Sequence, residues 1–297
     1  MSDDAKPAPP ATDASPSDGA AVRAGAPSAS GAVHDGAAVR AGAPSASGPV
    51  RVEACGDAVV LTIDRPGRQN AIDQRVTERI AEAVKAASED PEVRAVVLTA
   101  AGDRVFSAGG DLHEIQAALQ SGTSADVSDM FERLAAIERC DVPVIAAVQG
   151  DVFGGAAELL MLCDFVIIEE HVHIAFRHAR MGLSPAWGGM TRLIERVGPL
   201  AATRMLLTAE KVTAHEAERM GLVSEVVPTG FARERALARV SHLADNPRST
   251  VAALKHALRE VREATRAPAV PIEQAAFAAR WGKPDHVAAM RAFRDRK

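Results

Sequence analysis

The feature that most constrains this chain is a recurring run of mostly apolar, often β-branched residues that ends in a glycine loop. VRAVVLTA at 93–100 leads into GDRVFSAGGDL, and PVIAAVQG at 143–150 leads into DVFGGAAELLMLCDF. A strand that is apolar throughout, and not only at alternate positions, is buried on both faces and needs a covering layer on each side. Strand, loop, helix and strand, repeated, predicts an α/β fold with parallel pairing. Ligands in such folds gather at loops beyond the strand carboxyl ends. The glycine loops at 106–112 and 150–155 both occupy such a position.

The remaining segments fit this frame. VRVEACGDAVVLTID at 50–64 reads as two short strands around a Cys-Gly-Asp turn. An amphipathic helix is expected over 74–88, with Val76, Ile80, Ala83, Val84 and Ala87 on one face. A second helix is expected over 128–139 and a third over 155–162, followed by a strand over 164–170. From about Leu200 the pattern is helical, with pauses at Pro228 and Pro247 and around Pro268 and Pro271. It closes with a helix, a WGKP break and a basic helix.

The start of the chain lies outside this pattern. Residues 1–48 are almost entirely small, polar or Pro, and DGAAVRAGAPSASG occurs twice, at 18–31 and 35–48. Such a segment cannot bury a core, so it is expected to be a disordered low-complexity tail, leaving a core over 49–228 and a helical region over 229–297. Asp3 and Asp4, with no apolar run behind them, do not fit a secretory signal, and no run approaches a membrane span. Cys55, Cys140 and Cys163 lack metal spacing and sit in or beside apolar segments, as expected of reduced core thiols in a cytoplasmic protein. A net charge of −5 argues against a general nucleic-acid binder. His171 and His173 alternate at a strand end without a third ligand, which favours surface residues over a metal site.

Gly154 and Gly155 stand where a strand becomes a helix, and Glu158 follows one turn later on the same face. Helix N-termini offer unpaired N–H donors and a positive dipole end. On spacing alone Glu158 is either an acid aimed at a site or a solvated side chain. Two loops that each offer an N–H beside Ala or Gly can together form an oxyanion hole.

Taken in order, DRPGRQNAI, FSAGGDL, VQGDVFGGAAEL with CDF, MGLSPAWGGMTRL and LTAEKVTAHEAERMGLVSEVV resemble the crotonase (enoyl-CoA hydratase/isomerase) superfamily, across about 52–228. The resemblance implies a spiral of ββα turns with a C-terminal helical region, assembled as homotrimers or pairs of trimers. It also implies an acyl-CoA thioester substrate, with no metal or redox cofactor and no nucleic-acid or membrane partner. Carried over residue by residue, the oxyanion donors are the N–H groups of Ala108 and Gly155, and Glu158 matches the first catalytic acid. Arg68, Gln69, Asn70 and Ala71, with Gly110, Asp111 and Leu112, match stretches that line the coenzyme A, and Gly154 belongs to the second loop.

The departures from the family pattern matter as much. Hydratases carry a second acid in a Pro-Glu pair where this chain has Arg177-His178. His178 is then a substitute proton donor or a hydrogen-bonded wall of the site. FRHARMGLSPAWGGMTRL and the late WGKP are similar to the branch that contains ethylmalonyl-CoA decarboxylases. Trp187 either narrows the acyl pocket, which suits a short branched group, or packs between loop and helix. Arg177, Arg180 and Arg192 are candidates for a substrate carboxylate or for coenzyme A phosphates, and Lys283 and Arg291 for the phosphates. The favoured expectation is a CoA-thioester lyase that stabilises an enolate and decarboxylates a short 2-alkylmalonyl-CoA. The alternatives are an enoyl-CoA hydratase or isomerase using Glu158 alone or with His178, and a non-catalytic acyl-CoA-binding protein.

Overall fold

The structure, a computed structural model, describes residues 48–121 and 125–295, without the side chains of 125–128. The expected tail lies outside the described residues except for Gly48. β1 (Val50–Cys55) and β2 (Ala58–Ile63) form an antiparallel hairpin. α1 (Gln74–Glu89), capped by the Asp73 side chain accepting from the Val76 N–H, leads to β3 (Ala95–Ala100) and β4 (Val105–Ser107). α2 (Leu112–Ser121), α3 (Ala125–Leu134) and α4 (Ala136–Arg139) follow, so the helix expected over 128–139 is interrupted at Ala135. Next come β5 (Val144–Val148), β6 (Asp151–Phe153), α5 (Gly155–Leu162), β7 (Phe165–Glu169) and β8 (His173–Ala175).

The chain continues through α6 (Gly189–Thr208), which bends at Gly198-Pro199, then β9 (Val212–Thr213), α7 (Ala214–Arg219) and β10 (Glu225–Val227). The helical region comprises α8 (Ala232–Ala244), α9 (Arg248–Arg266), α10 (Val270–Arg280) and α11 (Pro284–Arg294). Pro271 does not interrupt this region. It sits in the first turn of α10, where the missing N–H costs nothing.

From β3 to β8 successive strands alternate between two sheets. The larger has the order β1-β2-β3-β5-β7-β10 and the smaller β4-β6-β8-β9. β3-β4, β5-β6 and β7-β8 each place one strand in each sheet, so the chain spirals and returns a loop to the same end on every turn. The strands of the large sheet are parallel from β2 to β10. Their residues alternate between two cores: Leu61, Leu98, Ala146 and Ile168 face the larger, whereas Val60, Val97, Ile145 and Ile167 pack with Ala236 and Val240 of α8. This double burial explains the continuous apolar runs.

Among the described residues no disulfide forms, and Cys140 and Cys163 are buried. Burial pushes the Cys140 thiol up and that of Cys163 up to about 12, so neither is a nucleophile near neutral pH. No described helix is long and apolar enough to cross a membrane.

Candidate active site

The two glycine loops meet because Gly109 has no side chain. Its φ is +93°, and a Cβ there would lie 2.7 Å from the Phe153 carbonyl oxygen and 2.9 Å from the Gly155 nitrogen. Glycine alone tolerates both the dihedral and the contact. Gly155 opens α5, so its N–H has no partner within the helix and, among the described residues, no acceptor elsewhere.

The other expected donor needs correction. The N–H of Ala108 donates to the Gln69 carbonyl oxygen at 3.0 Å and is therefore spent. Gln69 and Asn70 reach that position through consecutive left-handed conformations, φ 51° and 52°, uncommon outside glycine. Ile72 donates to the Gly109 carbonyl at 2.8 Å, and Asp111 donates to the Ile72 carbonyl at 2.9 Å. These bonds bracket Gly110 and leave its N–H without an acceptor among the described residues. Gly110 and Gly155 both line one cavity of about 480 Å³. The geometry thus pairs Gly155 with Gly110 in place of Ala108.

Glu158 is almost fully buried on α5 and also lines this cavity. Its Oε1 accepts from Ala186 N–H at 3.3 Å and lies 2.9 Å from His178 Nε2. Its Oε2 accepts from Trp187 N–H at 2.7 Å and Gly189 N–H at 3.0 Å. A Cβ on Gly189 would come within 2.3 Å of the Glu158 side chain, so this glycine makes room for the acid. The solvated reading of Glu158 is excluded by this burial. The buried Nδ1 of His178 has no hydrogen-bond partner among the described residues, and His178 also lines the cavity.

Trp187 combines its two expected roles. A Cβ on Gly155 would meet its ring at 2.5 Å, so the indole packs on the helix start, and it also forms cavity wall. Further wall comes from the helical region: Phe277 of α10, Trp281 directly after it, and Met290 and Phe293 of α11. Their part could not be read from periodicity, which marks an apolar face and not its destination.

Of the residues expected along the coenzyme A, Gln69, Gly110, Leu112 and Gly154 line the cavity, whereas Arg68, Asn70, Ala71 and Asp111 do not. Asn70 is a loop strut: its side chain accepts from Arg65 N–H at 3.0 Å and donates to the carbonyls of Ala101 and Val105. The Ala71 carbonyl accepts from the Arg65 guanidinium. Asp111 is buried and clasped by Arg65 at 2.9 Å and Arg68 at 3.3 Å. Burial works to raise its carboxyl, but the His113 N–H and Arg65 together hold it below the usual value. Arg68 remains largely exposed and free to meet a ligand outside the cavity.

The three candidate arginines separate clearly. Arg192 is buried and bonded to Glu138, which Arg266 also contacts at 2.9 Å, so Arg192 is not available to a ligand. Arg180 is exposed and off the cavity, whereas Arg177 lines it. Lys283 and Arg291 are exposed and also off the cavity. His173 pairs with Asp151 and His171 contacts Thr229, and no metal-binding group of His, Cys, Asp or Glu occurs among the described residues. A wider hollow of about 1020 Å³ elsewhere on the surface includes Asp151, Lys211, Glu53 and Arg233, which pair with one another.

Comparisons with known proteins place the chain among relatives of one family. A family model described as enoyl-CoA hydratase/isomerase matches residues 55–297. The mitochondrial enoyl-CoA hydratase of Pongo abelii is 32% identical over 239 residues, covering 80% of this chain and 81% of that protein. The carnitinyl-CoA dehydratase of Salmonella enteritidis is 34% identical over 220 residues, covering 74% and 81%. A crystal structure of an enoyl-CoA hydratase/isomerase from Xanthobacter autotrophicus Py2 superposes with a TM-score of 0.76 at 27% identity, covering 84% of this chain and 93% of the other.

Proposed function

The chain belongs to the enoyl-CoA hydratase/isomerase family, and from that premise we propose that it is a hydro-lyase that adds water to a 2-enoyl-CoA thioester, or in reverse removes it from the 3-hydroxyacyl-CoA. The observation that carries this reading is the 2.9 Å contact of Glu158 with His178 in the cavity that Gly110 and Gly155 also line. The thioester oxygen accepts from the N–H groups of Gly110 and Gly155, which draws electron density from the conjugated double bond. Glu158 takes a proton from water as the oxygen bonds to C3, and the electron pair of the double bond moves to form the thioester enolate. C2 then takes a proton from the Glu158–His178 pair, and the water is fully accounted for. One C–O bond forms and protons move, with no oxidant or reductant consumed, so the proposed reaction draws on nothing beyond water and the thioester. Relatives named as hydratase and dehydratase support it.

The sequence alone favoured decarboxylation of a 2-alkylmalonyl-CoA. One observation still speaks for that second reading: among the described residues, Glu158 is the only carboxylate lining the cavity. Decarboxylation breaks the bond from C2 to the carboxylate and leaves its electron pair in the same enolate, with no water to activate. Purified protein should be given crotonyl-CoA, methylmalonyl-CoA and ethylmalonyl-CoA, with loss of the enoyl absorbance and CO2 release followed separately. Hydration of crotonyl-CoA is the expected result. CO2 release without hydration would replace the first reading by the second.

Assembly as a trimer or pair of trimers belongs to the same proposal. Leu254, Leu258 and Val261 on α9 are 60%, 64% and 70% exposed, an apolar face that a subunit contact would cover. Light scattering at micromolar concentration tests it, and a monomer would contradict it.

A further inference from the structure

The catalytic cavity holds polar atoms that the proposed chemistry leaves idle. Among the described residues Arg177 Nε, Ser184 Oγ and His178 Nδ1 are buried without a hydrogen-bond partner, and all three residues line the cavity. Arg177 is half-buried, and its guanidinium stacks 3.8 Å over the Phe153 ring, which fixes its plane. No carboxylate pairs with it among the described residues. The acid whose charge it feels, Asp151, is already engaged by Lys211 at 2.8 Å and by the His173 N–H at 2.9 Å. Burial, and after it the charge of Arg180, pull the Arg177 guanidinium below its ordinary value, so the cation is held where it is costly.

The rest of the wall near these atoms is apolar, including Met181, Leu183, Trp187 and Phe277. A plain alkyl or alkenyl chain would occupy that space and leave a guanidinium N–H and a hydroxyl desolvated and unpaired. A ligand with an anionic oxygen pair would satisfy them, and a guanidinium fork suits a carboxylate. We propose that the acyl group of the substrate carries a second carboxylate, received by Arg177 with Ser184 as an additional donor. The substrate class is then the monothioester of a dicarboxylic acid with coenzyme A. The inference rests on the reading of the cavity as a CoA-thioester site, and it adds to the hydration reading a carboxylate that a 2-alkylmalonyl thioester would carry already.

The test uses saturated thioesters that neither hydrate nor lose CO2 as malonyl thioesters do. Full-length protein is titrated by calorimetry with succinyl-, glutaryl- and adipyl-CoA, with butyryl-, pentanoyl- and hexanoyl-CoA as neutral counterparts of equal chain length, and with coenzyme A alone. At least one dicarboxylic thioester should bind about 10–100-fold more tightly than its neutral counterpart, the range of a charge-assisted hydrogen bond. In Arg177→Gln that preference should collapse, while binding of coenzyme A alone stays the same. Arg177→Lys, which keeps the charge but not the fork, should retain part of it. Equal affinity in all three pairs overturns the proposal, and so does a preference that survives in Arg177→Gln. If Arg177→Gln weakens coenzyme A alone by the same factor, the partner of Arg177 is a phosphate and the proposal fails. Failure of every thioester to bind would defeat the thioester reading itself. Should the variants not fold, the wild-type pairs decide.

Discussion

Glu158 of α5 and Glu273 of α10 divide between them the first N–H groups of α6. Gly189 donates to Glu158 at 3.0 Å, while Met190 and Thr191 donate to Glu273 at 3.1 and 2.9 Å. Two buried carboxylates thus share one positive helix end, and Glu158 is tied to the helix that carries Phe277 to the cavity. Replacing Glu273 by Ala leaves two buried N–H groups unpaired. The expected loss is roughly 1–3 kcal/mol of stability, read by denaturant unfolding.

The same pair makes a prediction about titration. Burial first, and then the charge of Glu158, push the Glu273 carboxyl above its usual value, although the Thr191 and Met190 N–H groups pull it back. Because the folded state favours the protonated form, this contribution to stability is complete below the ordinary glutamate range and is lost as pH rises through the raised value. Glu158→Gln removes the like charge, so the Glu273 titration, followed by carboxyl-carbon NMR, should move to lower pH. An unmoved midpoint would mean that the two acids do not interact.

Glu138 has the opposite sign. Burial works to raise its carboxyl, but the hydrogen bond and charge of Arg192, with Arg266 behind them, hold it below the usual value. Its contribution is present above the ordinary glutamate range and is lost as pH falls through the depressed value. Glu138→Gln leaves buried Arg192 without its counter-charge and Arg266 with only Glu195 at 3.5 Å, and should cost about 3–5 kcal/mol near pH 7. The gap between the variant and the wild type should narrow as the buffer is acidified.

Gly109→Ala tests the meeting of the two loops. The new methyl would sit 2.7 Å from the Phe153 carbonyl and 2.9 Å from the Gly155 nitrogen, at a φ of +93°. Either the loops separate or the Gly110 peptide turns, and turnover should fall by about 10²–10³, as on loss of one oxyanion donor. Circular dichroism should show the fold retained. Undiminished turnover would place the oxyanion site elsewhere.

Much of this was legible in the sequence because it is local. AVVLTI and VIAAV had to be buried on both faces, and Gly154, Gly155 and Glu158 sit within one turn of each other. Which N–H of the first loop is left without an acceptor was not legible. The choice between Ala108 and Gly110 depends on which N–H the Gln69 carbonyl claims, and that carbonyl lies on a left-handed turn distant in the chain. The same holds for Asp111 and Arg192, whose partners Arg65 and Glu138 lie 46 and 54 residues away. Glu273 stands as an acid in the first turn of an apolar helix, but nothing local shows that it reaches α6.

The role of Glu158 as proton carrier is tested most directly by Glu158→Gln assayed on crotonyl-CoA, with thioester affinity measured by calorimetry on the same preparation. The amide keeps the shape of the side chain but cannot shuttle a proton, so hydration should fall by roughly 10²–10⁴ while binding persists. A variant that hydrates crotonyl-CoA at the wild-type rate would contradict the account, because the acid gripped by Ala186, Trp187, Gly189 and His178 would then carry no proton in the reaction.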